Sequence, residues 1–193
     1  MTRATKRPRA DAQRNREALL RAAQQVVQRD GTDISMDEVA ALAGVARATR
    51  YRHFPTREAL LEALMRDFVT QLGRARDAVE DPADAFLALI ELAAAGIRDN
   101  PGLLEVAAYK DVPPALREEL RRETQELIAE PLRRAQAAGR VRDDLRPTDF
   151  SVIVALAGAV AELAGQADAN APFDRGMTLL REALAPRPRF ELP

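Results

Sequence analysis

The chain has 193 residues, with 29 Lys plus Arg against 30 Asp plus Glu, one His, no Cys and no Trp. The absent cysteines remove disulfides, thiolate zinc sites and thiol nucleophiles, and one His cannot supply a multi-histidine metal cluster, so neither metal nor cofactor is expected. At 47% hydrophobic residues the chain can build a sizeable core. No apolar run approaches the roughly 20 residues that span a bilayer, and the basic amino terminus leads into no signal-peptide stretch, so a cytoplasmic protein without membrane partners is expected.

The near-zero net charge hides an asymmetry. Residues 1–76 carry 15 Lys plus Arg and 9 Asp plus Glu, a net of +6, and residues 77–193 carry 14 against 21, a net of −7. A basic segment joined to an acidic remainder fits one end meeting a polyanion, or chance clustering of surface charge.

Along the chain, apolar residues recur at three and four spacing among Ala, Leu, Arg and Glu, and the alternating β-branched runs of strands are absent. The expected fold class is all-α, with about nine helices. The first is expected from about Asp11 to Arg29, burying Leu19, Leu20, Ala23, Val26 and Val27 and ending at Gly31. Ser35 and Glu38 form the S-x-x-E capping box of a short second helix, with Val39, Ala40 and Leu42 inward and Gly44 as its stop. A third short helix covers Arg47 to His53. Pro55 ends it, and Thr56 is placed to cap a long fourth helix through Leu60, Leu61, Leu64, Met65, Phe68, Val69 and Leu72. Proline then punctuates further helical patterns at about 83–99, 102–109, 114–138, 147–168 and 173–185. Pro131, inside the 114–138 pattern, is expected to kink or divide its helix, or to impose ordinary curvature.

Two short helices joined by Ala43-Gly44-Val45, with small Ala40 at their crossing, have the spacing of a helix-turn-helix. The second, Arg47-Ala48-Thr49-Arg50-Tyr51-Arg52-His53, is polar, cationic and aromatic, with little to bury. The run MDEVAALAGVARATRYRHFPTREALLEAL, Met36 to Leu64, resembles the amino-terminal domain of TetR-family transcriptional regulators. Val39, Ala40, Ala43, Gly44, Val45, Thr49, Tyr51, His53, Phe54, Glu58 and Leu60 carry the likeness. Residues 11–72 show it clearly; the rest shares only helix length and order. The resemblance implies a three-helix DNA-binding domain followed by a larger helical domain that binds an effector and dimerises. The expected division is a basic flexible arm at 1–10, the helix-turn-helix domain at 11–55 and the effector and dimerisation domain at 56–193, with a helix over 56–80 connecting them.

By resemblance, Arg47 and Ala48 lie nearest the base edges, the guanidinium suited to guanine O6 and N7 and the methyl to thymine. Thr49, Tyr51 and His53 fall to phosphate, Arg52 to either, and Thr56 and Arg57 to phosphate at the start of the fourth helix. Two positions depart from the family. Ala46 stands where a Ser usually caps the recognition helix. Arg50 stands where an apolar residue usually packs beneath it: its stem snorkels out, or the helix is rotated or loosened, and either way another cation joins the DNA face. The amino-terminal Arg3, Lys6, Arg7 and Arg9 suit a minor-groove arm or a solvated tail.

The segment Ser151–Gly165 is apolar on nearly every face. With the final helix it forms either the isologous interface of a homodimer, through Ala155, Gly158, Ala159, Glu162, Leu179, Leu180 and Leu184, or the core helix of a monomer. An effector, small and mostly apolar, is expected among Phe68, Phe86, Ile90, Leu104, Tyr109 and Ile128, although such stripes also serve as core. Ser35 and Ser151 are the two serines and the His lies in the helix-turn-helix, so catalytic triads lack parts and no enzyme is expected. The functional expectation is a dimeric, ligand-responsive regulator, a repressor released from a palindromic operator in double-stranded DNA. The alternative is a TetR-like ligand-binding or protein-interaction module with weakened or lost operator binding.

Overall fold

The computed structural model describes residues 7–31, 33–99, 113–165 and 171–186. Among them are eight helices and no strand: α1 (Arg7–Asp30), α2 (Met36–Leu42), α3 (Arg47–His53), α4 (Arg57–Ala78), α5 (Ala85–Asp99), α6 (Pro114–Ala137), α7 (Asp149–Gly165) and α8 (Ala171–Leu184). The all-α expectation holds. The helix expected over 102–109 lies outside the described residues. α1 starts at Arg7 rather than near Asp11, so residues 7–10, read as part of a flexible arm, are helical. Contacts divide the chain into two compact units: residues up to Asp67 with 113–117, and Phe68–Asp99 with 118–186. The division falls inside α4, later than the expected boundary at residue 55, because Leu60, Leu61, Leu64 and Met65 all belong to the first unit and are buried.

In the first unit, α1 packs on α2 and α3, and α2 packs on α3. The expected face of α1, Leu19, Leu20, Ala23, Val26 and Val27, is buried, together with Val39, Ala40 and Phe54. Each fully buried large apolar side chain contributes about 1.5–3 kcal/mol relative to exposure. Leu42 breaks the expected pattern, being 53% exposed. At about 100° per residue it lies more than a quarter turn from the centre of the Val39–Ala40 face, and the helix ends before another turn can bring a partner over it.

α2 stops on a Schellman motif. Gly44 takes φ +64°, its N–H donates to Ala41 O (3.1 Å) and the Val45 N–H to Ala40 O (3.0 Å). A residue with a Cβ is strained in that left-handed conformation. The turn re-aims the chain within three residues, so α3 follows α2 at once.

In the second unit, α7 packs on α5 and α8. Phe86, Leu89, Ile90, Ala93 and Ile97 of α5 are buried, with Phe150, Ile153, Val154 and Ala157 of α7 and Phe173, Met177 and Leu184 of α8. The Phe86 and Phe150 rings lie 6.3 Å apart at 59°, a tilted pair. α8 approaches α7 at Gly176, where a Cβ would lie 2.2 Å from Val160 Cγ1. α6 runs unbroken through Pro131, which is buried, so the proline does not divide the helix. No helix among the described residues is long and apolar enough to cross a membrane.

Candidate nucleic-acid interface

α3 buries none of its residues. Arg47, Ala48, Tyr51 and Arg52 are exposed, with Tyr51 at 63%, and Thr49 and His53 are partly covered. A short helix with no apolar anchor of its own is held by its ends. Its start rests on backbone alone: Ala46 has extended φ and ψ, and its carbonyl accepts from Thr49 N (2.8 Å) and Arg50 N (3.0 Å), with no side-chain cap. At its end the Phe54 N–H donates to Arg50 O (2.8 Å). The Phe54 ring is buried, with the Arg16 guanidinium 5.6 Å from its centre and the His53 ring 6.4 Å away.

Thr56 caps α4, its Oγ1 accepting from Ala59 N (3.2 Å). On the outer face of α3, Arg52 Nη2 donates to Thr49 Oγ1 (3.2 Å), one turn apart. Ser35 Oγ accepts from Glu38 N (3.4 Å), which fulfils one half of the capping box. The Glu38 carboxylate is engaged by Arg29 Nη2 of α1 (2.6 Å). Hydrogen bonds to Asp30 first, then Glu38, raise the Arg29 pKa above its ordinary value.

The helix-turn-helix thus presents Arg47, Ala48, Tyr51 and Arg52 outward from a scaffold whose core lies on the opposite side. The pattern shared by bacterial regulatory proteins of the tetR family matches residues 19–64, and that of the SbtR-like transcriptional regulator C-terminal domain matches residues 81–186. The chain belongs to the TetR family. An uncharacterised HTH-type transcriptional regulator of Mycobacterium tuberculosis is 43% identical over 81 residues, 39% of this chain and 40% of that one. The match therefore spans under half the length of this curated relative. A TetR transcription regulatory protein from Mycobacterium vanbaalenii superposes with a TM-score of 0.66 at 28% identity, over 92% of this chain and 98% of that one. A TetR transcriptional regulator from Streptomyces coelicolor gives 0.64 at 29% identity, over 90% and 99%. This protein is accordingly a TetR-type transcriptional regulator with a DNA-binding helix-turn-helix.

Among the residues assigned to DNA from the sequence, Arg50 is the one the TetR scaffold turns inward. Its side chain is 13% exposed, its Nη1 donates to Phe54 O (3.3 Å) and its Nη2 lies 3.9 Å from Asp37 Oδ1. The expected additional cation on the DNA face is therefore absent there; the guanidinium finds polar partners under α3 instead of snorkelling out. Sequence reasoning also missed Asp37, which meets both Arg47 and Arg50. Its separation of ten and thirteen residues from them follows no helical period, so only the fold of the turn reveals it.

The carboxy-terminal assignments divide by face. On α7, Ala155 and Ala159 are exposed beside Val152 (58%) and Leu156 (54%), as is Leu179 of α8 (49%), while Leu180 is half-covered. Gly158 and Leu184 are corrections: both are buried within the protomer, Gly158 on α7, which packs on α5 and α8, and Leu184 on α8 beside Ile90 of α5. The Glu162 side chain lies outside the described residues, as do Leu104 and Tyr109.

Phe86, Ile90 and Ile128 are buried core and Phe68 is half-buried. Ile90 borders a void of about 10 Å³ beside Met177 and Leu184, about one water in size. An open cleft of about 270 Å³ lies elsewhere in the second unit, over Val79, Pro82, Ala85 and Pro131, with Arg76, Asp77, Glu130 and Arg134 at its rim. None of the described residues singled out for an effector lines it. Hydrogen bonds from Arg133 and Arg134 bring the Glu130 carboxyl down to about 2.

Proposed function

We propose that this TetR-family protein is a homodimeric, cytoplasmic repressor that binds a palindromic operator in double-stranded DNA through α3 and is released by a small molecule. It acts by binding rather than by catalysis. The observation that carries the reading is an α3 that buries nothing and turns Arg47, Ala48, Tyr51 and Arg52 to solvent, with Thr49, His53, Thr56 and Arg57 beside them. The guanidinium groups supply base-edge and phosphate contacts, and Tyr51 and Thr49 supply phosphate hydrogen bonds. The exposed apolar strip Val152, Leu156 and Leu179 with Ala155 and Ala159 supports a second copy as partner, since two recognition helices must sit about one DNA turn apart to read a palindrome. The effector role belongs to the second unit, where Phe68, Phe86, Ile90 and Ile128 supply an apolar lining if the helices around them open, and to Leu104 and Tyr109.

Duplexes selected from a random pool with the purified protein test this reading by fluorescence anisotropy. Affinity is expected to fall steeply with salt, and replacing Arg52 by Ala to reduce the log–log salt slope by about one. Tyr51→Ala is expected to weaken binding and leave the dimer intact. A pool that yields no enriched sequence would favour the module that has lost operator binding.

A further inference from the structure

We propose that Asp37 and Arg50 form a charge hand-over beneath α3 that governs how readily Arg47 reaches DNA. The proposal rests on α3 being the recognition helix. Two guanidinium groups share one carboxylate: Arg47 Nη2 is 3.1 Å from Asp37 Oδ2, and Arg50 Nη2 is 3.9 Å from Oδ1. Their surroundings differ. The Arg47 side chain is 78% exposed and free to swing; that of Arg50 is 13% exposed and tied to the Phe54 carbonyl, with a buried Nε that has no hydrogen-bond partner among the described residues.

Without DNA, Arg47 neutralises Asp37 from the solvent side. When Arg47 moves to a base edge or a phosphate, it abandons a carboxylate in front of a polyanion, which repels it. Arg50 is already fixed beside that carboxylate, at the long limit of an ion pair, with donor capacity unused. It takes over Asp37 as Arg47 leaves. An apolar side chain at position 50 would fill the space without desolvating a charge, but would leave Asp37 uncompensated at the moment of binding. Arg50 is on this account a positioning residue acting through Asp37 and Arg47, and does not itself touch DNA.

A double-mutant cycle on the full chain tests it, read by anisotropy against a pool-selected duplex and a random duplex of the same length. Arg50→Leu is expected to weaken binding to the selected duplex about tenfold, and Asp37→Asn to strengthen binding to the random duplex about threefold. The double variant is expected to recover most of the loss caused by Arg50→Leu, because no carboxylate then needs compensating. A double variant as weak as Arg50→Leu alone, at matched helicity and melting temperature, would overturn the proposal and leave Arg50 a support for α3. Arg50→Lys keeps the charge and serves if Arg50→Leu does not fold. It is expected to bind within about threefold of the parent, and a tenfold loss that Asp37→Asn does not relieve sinks the idea equally. Arg47→Ala and Tyr51→Ala separate the two readings. If neither weakens DNA binding, the recognition-helix assignment fails; if both do while the cycle shows no coupling, the hand-over alone fails.

Discussion

Ala46 and Arg50 show how single residues shape a helix that has no apolar face. Ala46 leaves the start of α3 without a side-chain acceptor, so Ala46→Ser is expected to raise stability by about 1 kcal/mol, measured as a shift in the urea midpoint at constant slope. The backbone at position 46 is already extended, as an N-cap requires, and nothing has to move to accept the hydroxyl. At the other end Phe54 is 4% exposed. Phe54→Ala is expected to cost about 3–5 kcal/mol, and to impair DNA binding indirectly by loosening the end of α3. Both residues are legible in the sequence, Ala46 as a missing cap and Phe54 as a position that carries the TetR likeness. Arg50 is not: its charge suggests solvent, and only the Phe54 carbonyl and Asp37, brought under α3 by the turn at Gly44, explain why it stays in.

At the scale of helices, α7 and α8 meet where one side chain is missing. A methyl at position 176 would lie 2.2 Å from Val160 Cγ1, closer than any packing tolerates, so one helix or the valine must shift. Gly176→Ala is expected to destabilise the fold by about 1–3 kcal/mol, and Val160→Ala in the same chain to recover part of that loss, as seen in thermal melts. A simple gain in helix propensity would give the opposite sign, which makes the measurement decisive. On α6, Glu130 lies between Arg133 and Arg134, and its carboxyl is depressed from the ordinary 4.5 to about 2. The charged form is favoured in the folded state, so its contribution is present above pH 4.5 and lost as the pH falls to about 2. Any difference in melting temperature between the parent and Glu130→Gln is therefore expected at neutral pH and should vanish in that acid window. The periodicity of α1, α5 and α6 was readable because apolar residues recur once per turn. Leu42 escaped because a two-turn helix is too short for the period to define a face.

For the molecule as a whole, the balanced composition resolves into a basic amino-terminal part that holds the helix-turn-helix and an acidic remainder. Net negative charge on the remainder disfavours DNA there, in keeping with the recognition surface proposed on α3. Leu156 is 54% exposed in the protomer, so Leu156→Glu is expected to abolish the proposed dimer in sedimentation at micromolar concentration while leaving the helicity of the chain intact. Operator affinity should fall with it, because two half-sites are then bound independently.

Local chemistry was enough to determine the all-α class, the helix-turn-helix, the capping of α2 by Ser35 and of α4 by Thr56, and the TetR family, because each depends on residues within a few turns of one another. Tertiary structure decided which apolar residues of α7 face inward, that Gly158 and Leu184 are buried, that the helix-turn-helix unit extends into α4, and that Asp37 links Arg47 to Arg50. These depend on which helix lies against which face. An apolar helix looks alike on both sides until α5 and α8 cover one of them, and a charge pair across a turn follows no repeat along the chain.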